Sequence, residues 1–435
     1  MREYIARLEA RGDLRVVDRE VDPRFELAAV TQRSQRESER PILFRRVSGT
    51  TLPVVTNLYG SRRRLCELIG AADGRFCRRW TELMRASAEP ATRAVEPGER
   101  IEGRPGELPL VTYCERDAAP YITAGVFLAN EPETGVPNLS FHRAMHVSDT
   151  ELRVRLGGSH DLTRYQAKAE AAGQALEAAI LIGAPPEVVL AAAASIPYEE
   201  SEIEVAARLA GGPLPMRRCR RIDLAVPADT EIVIEGRILP GVRRSEGPFG
   251  EFMGFYVPVG ENHVFEVLAT DWRPGAAYHA LLCGSPEDLR MLELAVATRV
   301  YRHLTGVLPG ILDVACVPTV MNTVVQIEQR YEGHARQVLL AAFGASLDWS
   351  KSCFVVDEDV DLNDFDDVYW AFLTRGRADQ RAFVLPDVPG FYRDQNKDHY
   401  GRLAVDATVP FGRRGEFERK RIPGADRLDL RDYFG

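Results

Sequence analysis

Runs of apolar positions divide the chain into three stretches. In the first, amphipathic segments such as residues 4–11 predict helices between short apolar strands. From about residue 122, alternating apolar and polar positions predict strands, including a hairpin whose turn spans residues 130–135. Beyond residue 306, helices and short apolar strands alternate again. The pattern therefore predicts an α/β fold with a β-rich middle.

The same pattern sets the expected domain boundaries. We expect an N-terminal α/β domain over residues 1–121, a β-rich domain over residues 122–305 and a C-terminal α/β domain over residues 306–435. Residues 95–121 are rich in proline, glycine and charge, which is typical of a linker.

Composition narrows the class of protein. The 435 residues are 45% hydrophobic and 27% charged, which is ordinary for a globular protein. The 55 basic and 64 acidic residues give a net charge of −9, which argues against nucleic-acid binding through bulk charge. The seven cysteines are scattered without a CxxC pair, and no apolar run is long enough to span a membrane. We therefore expect a cytoplasmic protein that contacts neither nucleic acid nor membrane.

The segment from Ser245 to Gly254 carries the most informative motif, Glu-Gly-Pro-Phe-Gly-Glu. One proline and two glycines between Glu246 and Glu251 favour a tight turn, so the two carboxylates can converge. Converging carboxylates repel, and this repulsion raises the pKa of one of them, which suits a general acid. A nearby arginine would decide which carboxylate stays ionised. The alternative interpretation is a solvated loop that happens to carry two glutamates.

Two further clusters offer ligands for a hard cation. Asn138 lies in the segment Asn-Leu-Ser-Phe-His-Arg, His160 follows Gly-Gly-Ser, and Glu202 follows Ser201 at the start of a predicted helix. Amide, imidazole and carboxylate donors suit Mn²⁺ or Mg²⁺ better than thiolate-bound zinc. The alternatives are a turn residue for His160 and a helix-capping charge for Glu202. The acidic stretch over residues 356–367 lacks the glycine and final glutamate of an EF-hand and is interpreted as structural.

Taken in chain order, these clusters resemble the UbiD family of reversible decarboxylases, which use prenylated FMN. The resemblance covers almost the whole chain, from the N-terminal helix to Val405-Asp-Ala-Thr408, and its most specific part is the Glu246–Gly254 segment with Asn138–Arg143 upstream. It implies a split-barrel-like, flavin-binding middle domain flanked by α/β domains. It also implies a flavin prenyltransferase as the cofactor's supplier, and a homodimer or higher homo-oligomer.

The resemblance assigns site residues one by one. It implies that Asn138, His160 and Glu202 bind Mn²⁺ (or Mg²⁺), which links the protein to the cofactor phosphate, with K⁺ nearby. The residues it places around the flavin are Thr123, Asn138, Ser140, Phe141, His142, Arg143, Ser159, His160, Pro197 and Arg402. At Arg402 the family often has lysine.

The resemblance also implies a mechanism. Arg143, Glu246 and Glu251 match the family's catalytic set. In the implied mechanism the substrate carbon would bond covalently to the prenylated flavin, which would accept electrons when CO₂ leaves, and Glu251 would then protonate that carbon. The substrate would be a small aromatic, heteroaromatic or α,β-unsaturated carboxylic acid. The residues expected near it are Phe252, Leu289, Leu292, Phe391 and Tyr392.

Two other functions compete with this one. A catalytically silent flavin-binding or assembly subunit would keep the fold, but the intact set of Arg143, Glu246 and Glu251 argues against it. A divalent-metal hydrolase using His160 and Glu202 would be active without flavin, yet the sequence shows no set of three close ligands around a water.

Overall fold

The computed structural model describes residues 1–86, 90–158, 160–346, 349–391, 394–395, 399–428 and 433. Two compact units divide these residues, the first over Met1–Arg302 and the second over His303–Gly435. No helix in the described part of the chain is both long enough and apolar enough to cross a bilayer.

Helices are distributed over both units. Their bounds are α1 Arg2–Ala10, α2 Glu26–Gln35, α3 Arg62–Ile69, α4 Phe76–Met84, α5 Asp161–Ala171, α6 Pro186–Ala192, α7 Glu202–Ala210, α8 Pro286–Val307, α9 His334–Ala345, α10 Phe365–Arg375 and α11 Ala378–Arg381.

The strands before residue 150 include the predicted hairpin. Their bounds are β1 Arg15–Val17, β2 Ile42–Phe44, β3 Val54–Thr56, β4 Thr92–Ala94, β5 Ile101–Gly103, β6 Tyr121–Ile122, β7 Val126–Asn130, β8 Pro137–Phe141 and β9 Ala144–Ser148. β7 and β8 pair in antiparallel register with Asn130 opposite Pro137, so the turn lies where the sequence predicts it.

The remaining strands include two long ones that pair with each other as an antiparallel ribbon. Their bounds are β10 Glu151–Val154, β11 Leu176–Ile182, β12 Leu214–Arg218, β13 Ala225–Pro227, β14 Ile232–Glu246, β15 Phe249–Gly250, β16 Tyr256–Val257, β17 Gly260–Trp272, β18 Tyr278–His279, β19 Ile311–Cys316, β20 Asn322–Ile327, β21 Ser352–Asp357, β22 Ala382–Val388 and β23 Tyr400–Asp406.

The largest sheet is antiparallel and holds the core of the first unit. Its strand order is β6-β9-β10-β17-β14-β11-β7-β8, and β5 pairs with β17. Among the described residues β6 and β8 do not pair with each other, so the sheet stays open and forms no closed barrel. Fully buried Phe127, Ile180 and Phe265 belong to the core packed against it. The predicted fold class, α/β with a β-rich middle, is confirmed.

The second unit contains a five-stranded mixed sheet with the order β19-β20-β21-β23-β22. β21 is buried along most of its length and lies between β20 and β23, both parallel to it. Continuous apolar runs such as Cys353–Val356 suit a strand covered on both faces.

Two sequence expectations need correction. Residues 95–121 do not form a separate linker, because β5 pairs with β17 and Tyr121 is fully buried in β6. The apolar segment of residues 254–259, within the stretch predicted to form strands, is a strand only at Tyr256–Val257, which pairs with β15. In both places the prolines and glycines form turns inside the packed first unit, and they do not mark a flexible connection between domains.

Candidate active site

The two glutamates of the Glu-Gly-Pro-Phe-Gly-Glu motif lie at the ends of two strands. Glu246 is the last residue of β14, and Glu251 directly follows β15. Gly247 lies between them with a φ of 94°, a backbone conformation that side-chain-bearing residues rarely adopt. The chain therefore turns sharply after Glu246, and both carboxylates reach the same arginine, as the sequence predicts.

Arg143 joins the two carboxylates. It lies in the break between β8 and β9, and its Nε and Nη2 donate to Glu246 Oε1 and Oε2, each at 2.9 Å. Its Nη1 donates to Glu251 Oε1 at 2.5 Å. The side chains of Arg143, Glu246 and Glu251 are only 8%, 0% and 9% exposed. A bidentate arginine pair in such a dry environment is strong and geometrically specific.

Glu246 receives two more hydrogen bonds. The Tyr121 hydroxyl donates to Oε1 and Asn262 Nδ2 donates to Oε2, both at 2.9 Å. With the two bonds from Arg143, four donors therefore surround this carboxylate. The geometry thus distinguishes the two glutamates, because four donors hold the Glu246 carboxylate in place.

The buried charges shift the pKa of their neighbours. Burial lowers the pKa of Arg143, but the hydrogen bonds and charges of Glu246 and Glu251 outweigh it, so its pKa is raised overall. Burial and the adjacent Glu246 charge raise the pKa of Tyr121 well above its usual value. Arg143 and Tyr121 therefore both keep their protons and act as donors to Glu246.

A second carboxyl group lies close to Glu251. Burial raises the pKa of Asp288 to about 6, with the Glu251 charge acting in the same direction and the Gly284 amide opposing it at 2.7 Å. The Cys283 thiol hydrogen-bonds to Asp288 and also interacts electrostatically with the Glu251 carboxylate. Gly284 packs so closely on Phe252 that an added Cβ would lie 3.0 Å from the Phe252 carbonyl oxygen.

Three polar side chains of the predicted cofactor set share one face of β8 and its end. Asn138, Ser140 and His142 are 4%, 7% and 4% exposed. Alternate residues of a strand point to the same side, which explains why these three face each other. Ser140 Oγ lies 3.0 Å from both Asn138 Oδ1 and His142 Nε2.

Glu202 meets this face from the first turn of α7. Its carboxylate lies 3.1 Å from Asn138 Nδ2 and accepts the Leu139 backbone N–H at 2.9 Å. The residue is 5% exposed, and no basic side chain of the described residues forms an ion pair with it. Burial raises its pKa to about 7. An unpaired buried carboxylate is a costly feature that a bound cation would neutralise.

The third predicted metal ligand, His160, precedes α5. Its ring centroid lies 4.9 Å from that of His142, which links it to the Asn138–Ser140 face. Amide, imidazole and carboxylate donors fit a divalent cation of the Mn²⁺ or Mg²⁺ type. No three His, Cys, Asp or Glu side chains within the described ranges cluster as metal ligands, so such a site depends on Asn138 as its third ligand.

The other predicted cofactor residues are more dispersed. Thr123 Oγ1 lies 2.7 Å from Tyr113 Oη and accepts the Leu281 N–H at 3.3 Å. Phe141 is half-buried at the end of β8, and Pro197 is exposed between α6 and α7. Arg402 belongs to the second unit, where it is fully buried and donates to the Pro389 carbonyl at 2.5 Å. Ser159 lies outside the described residues.

The predicted substrate residues occupy both units. In the first unit Phe252 is 8% exposed, and Leu289 and Leu292 are half-buried on the first turns of α8. In the second unit Phe391 is buried, with its ring 4.4 Å from that of Trp349. Tyr392 lies outside the described residues.

Sequence reasoning missed Tyr121, Asn262 and Asp288. Asn262 could have been found from the ribbon of β14 and β17, because that pairing returns the chain beside Glu246. Tyr121 was assigned to a linker, and its partner Glu246 is 125 residues away. Asp288 follows the Pro-Glu pair that begins α8, and nothing in the local sequence connects it to Glu251.

Family models match nearly the whole chain. The N-terminal, Rift-related and C-terminal domains of 3-octaprenyl-4-hydroxybenzoate carboxy-lyase, the UbiD domains, match residues 5–84, 91–286 and 290–407. An anhydromevalonate phosphate decarboxylase from Methanothermobacter thermautotrophicus is 33% identical over 412 residues, covering 93% of this chain and 96% of the relative.

Solved structures agree with the sequence matches. The FMN complex of the UbiD-class enzyme HmfF from Pelotomaculum thermopropionicum is 34% identical, with a TM-score of 0.91 over 100% of this chain and 99% of that one. An evolved dimeric form of the same enzyme with prenylated FMN is 33% identical, with a TM-score of 0.87 over the same shares. Together with the family models, these similarities show that the chain belongs to the UbiD family and is a carboxy-lyase of that family.

Proposed function

We propose that the protein catalyses the reversible, non-oxidative decarboxylation of a small aromatic, heteroaromatic or α,β-unsaturated carboxylic acid, with prenylated FMN as cofactor. The observation that carries the proposal is the sharing of Arg143 between Glu246, which is surrounded by four donors, and Glu251. The similarity to HmfF in its FMN and prenylated-FMN complexes supports the cofactor.

The proton balance assigns a role to Glu251. Replacing a carboxylate group by hydrogen consumes one proton in each turnover, and a group in the site must deliver it to carbon. Glu246 is unsuited to this because its oxygens accept bonds from Arg143, Tyr121 and Asn262. Glu251 donates the proton in decarboxylation and accepts it in the reverse reaction. Arg143 then stabilises the Glu251 carboxylate left after donation.

The cofactor is proposed to bind through its phosphate end. When bound, prenylated FMN supplies an electrophilic centre and a sink for the electrons released with CO₂. Asn138, His160 and Glu202 would hold Mn²⁺ or Mg²⁺ against the phosphate, with K⁺ nearby. The unpaired buried charge of Glu202 supports this assignment. The contacts proposed for the rest of the cofactor are Thr123, Ser140, Phe141, His142, Arg143, Ser159, Pro197 and Arg402.

The substrate is proposed to meet apolar side chains. The side chains proposed to contact the substrate are Phe252, Leu289, Leu292, Phe391 and Tyr392. An apolar lining solvates a carboxylate poorly and so favours release of neutral CO₂. A flavin prenyltransferase is the proposed source of the cofactor, and a homo-oligomer is the proposed assembly.

The proton role is tested by Glu251→Gln. This variant keeps the shape and a hydrogen-bond acceptor for Arg143 but cannot release a proton. We expect it to abolish CO₂ release and solvent deuterium exchange into the product, while prenylated FMN still binds, as judged by the visible spectrum and intact cofactor mass. Glu261→Gln is the matched control, because Glu261 is exposed and accepts a hydrogen bond from Ser245. Turnover at the unmodified rate in Glu251→Gln would refute the proton role.

The cofactor is tested by co-expression with a flavin prenyltransferase in the presence of Mn²⁺ and K⁺. Prenylated FMN in the purified protein, followed by CO₂ release from a panel of unsaturated and aromatic acids, is the expected result. Protein that contains no flavin under these conditions would contradict the proposed activity and favour an assembly role.

A further inference from the structure

The loop of residues 114–118, here called the bracing loop, contacts the turn that carries Glu251. Asp117 Oδ1 accepts the Gly250 backbone N–H at 2.9 Å, and Asp117 Oδ2 accepts the Cys114 N–H at 2.8 Å. The Ala118 N–H donates to the Pro248 carbonyl oxygen at 3.0 Å. The loop therefore holds the residues on both sides of Phe249 by their backbone atoms.

The bracing loop and the turn are also in direct van der Waals contact. A Cβ added at Gly250 would lie 2.8 Å from Cys114 Sγ and 3.3 Å from Cys114 Cβ. Real Cβ atoms essentially never approach another atom this closely, so a side chain at position 250 would have to displace Cys114, and glycine avoids this clash. The second glycine of the Glu-Gly-Pro-Phe-Gly-Glu motif is explained by this contact.

The loop holds the second strand of the same small hairpin. The Arg116 backbone N–H donates to Tyr256 Oη at 3.2 Å, and the Arg116 guanidinium lies 4.9 Å from the centre of the Tyr256 ring. β15 and β16 pair between Phe249 and Val257, and Glu251 follows directly, its N–H bonded to Phe255 O at 2.9 Å. The residue before Glu251 is thus tied to the bracing loop, and Glu251 itself is tied to the hairpin.

A purely local role does not explain the Gly250 bond. The bond from Cys114 N to Asp117 Oδ2 closes a turn within the loop, as aspartates commonly do. The bond from Gly250 spans 133 residues and ends one residue before Glu251. A carboxylate that accepts two backbone N–H groups from distant segments fixes their separation.

We propose that Asp117 is a positioning residue for Glu251. By fixing the Gly250 amide, its carboxylate sets where the Glu251 side chain stands against Arg143 and the reacting carbon. The proposal rests on the proton role given to Glu251 above. A displacement of about 1 Å in a group that must reach a reacting atom can lower a rate about 100-fold, so a backbone support of this kind affects turnover.

The first test is Asp117→Asn. An asparagine offers one carbonyl oxygen, so one of the two backbone N–H groups would face an NH₂ group instead of an acceptor. We expect kcat to fall about tenfold or more. We expect KM, prenylated-FMN content and thermal stability to stay close to those of the unmodified enzyme, and solvent deuterium exchange to slow by the same factor as kcat.

Asp149→Asn is the matched control. Asp149 Oδ1 accepts the Gly106 backbone N–H at 2.9 Å, which is the same kind of bond in another loop of the first unit. Its loss should leave kcat unchanged. Unchanged kcat in Asp117→Asn, or a loss of kcat that follows a loss of bound flavin or folded protein, would overturn the proposal.

A second pair of variants approaches the same contact from the other side. Gly250→Ala should lower kcat because its methyl group would push Cys114 away, and adding Cys114→Ala removes the closest atom and should restore most of the activity. Failure of this rescue would also count against the proposal. If Glu251→Gln keeps full turnover, the proton role of Glu251 is wrong. This variant alone therefore distinguishes a failure of the proton role from a failure of the positioning role of Asp117.

Discussion

The Tyr121 hydroxyl donates a hydrogen bond to Glu246 Oε1 at 2.9 Å from a residue with no solvent exposure. The phenol ring lies against Phe249, with ring centroids 4.5 Å apart. The Arg143 guanidinium lies over the same Phe249 ring, 4.7 Å from its centroid. Tyr121 therefore supports the Glu246–Arg143 pair through both its hydroxyl and its ring.

Tyr121→Phe should lower kcat about tenfold, because a hydrogen bond to a charged group contributes about 1.5–3 kcal/mol. The ring packing on Phe249 stays, so KM and bound flavin should change little. The measurement is CO₂ release under saturating substrate. Tyr278→Phe is the control, since Tyr278 is fully buried and its hydroxyl has no hydrogen-bond partner among the described residues. Equal kcat values for the two variants would contradict the role of Tyr121.

Arg143→Lys should reduce kcat about 100-fold or more, because an ammonium group cannot replace a guanidinium that bonds two carboxylates in fixed directions. The charge is kept, so this variant tests the geometry of the pair with Glu246 and not its net charge. Steady-state kinetics would measure the loss. Arg153→Lys, which alters an arginine paired with Glu151 on β10, should remain fully active.

Glu202→Gln should stabilise the metal-free protein and remove its response to Mn²⁺. The carboxylate is buried without an ion-pair partner among the described residues, so replacing it by a neutral amide removes a desolvation cost. Thermal unfolding with and without Mn²⁺ measures both effects, and metal analysis checks the bound ion. Glu204→Gln on the same helix is the control, because the Glu204 side chain is 51% exposed. A Mn²⁺-dependent rise in Tm that survives in Glu202→Gln would refute the metal assignment.

Asp288→Asn should raise stability at pH 8 but not at pH 4. The folded-state pKa of Asp288 is raised from 3.8 to about 6, so the folded state binds its proton more tightly than the unfolded state does. Stability is therefore lost as pH rises from about 4 to about 6, by at most about 3 kcal/mol at 1.36 kcal/mol per pKa unit. The amide keeps an acceptor for the Gly284 N–H. Tm measured against pH tests this, with Asp223→Asn, whose side chain is 91% exposed, as control.

The local sequence predicted those parts of the candidate site that depend on local turns. Proline and glycine between Glu246 and Glu251 predicted that the carboxylates converge, and they meet at Arg143. Polar alternation along β8 similarly places Asn138 and Ser140 on one face.

The other parts depend on pairings between distant segments. Asn262 faces Glu246 because β17 pairs with β14 in a register that shifts between Ile238 and Arg243, and one sequence does not specify such a shift. Tyr121 reaches Glu246 because β6 pairs with β9 at the edge of the large sheet. The three-domain division and the roles of the site residues stay predictions.

The large sheet and the small β15–β16 hairpin carry the hydrogen-bonded group around Arg143, which consists of Tyr121, Arg143, Glu246, Glu251 and Asn262. Tyr121, Glu246 and Asn262 lie on β6, β14 and β17, and Arg143 lies between β8 and β9, which follow each other along the chain. The apolar residues Leu289 and Leu292 lie on α8 instead. If Leu289 and Leu292 contact the substrate as proposed, acid recognition and proton handling are carried by separate parts of the chain. New acids could be accommodated by randomising the α8 face while the proton-handling group is inherited intact.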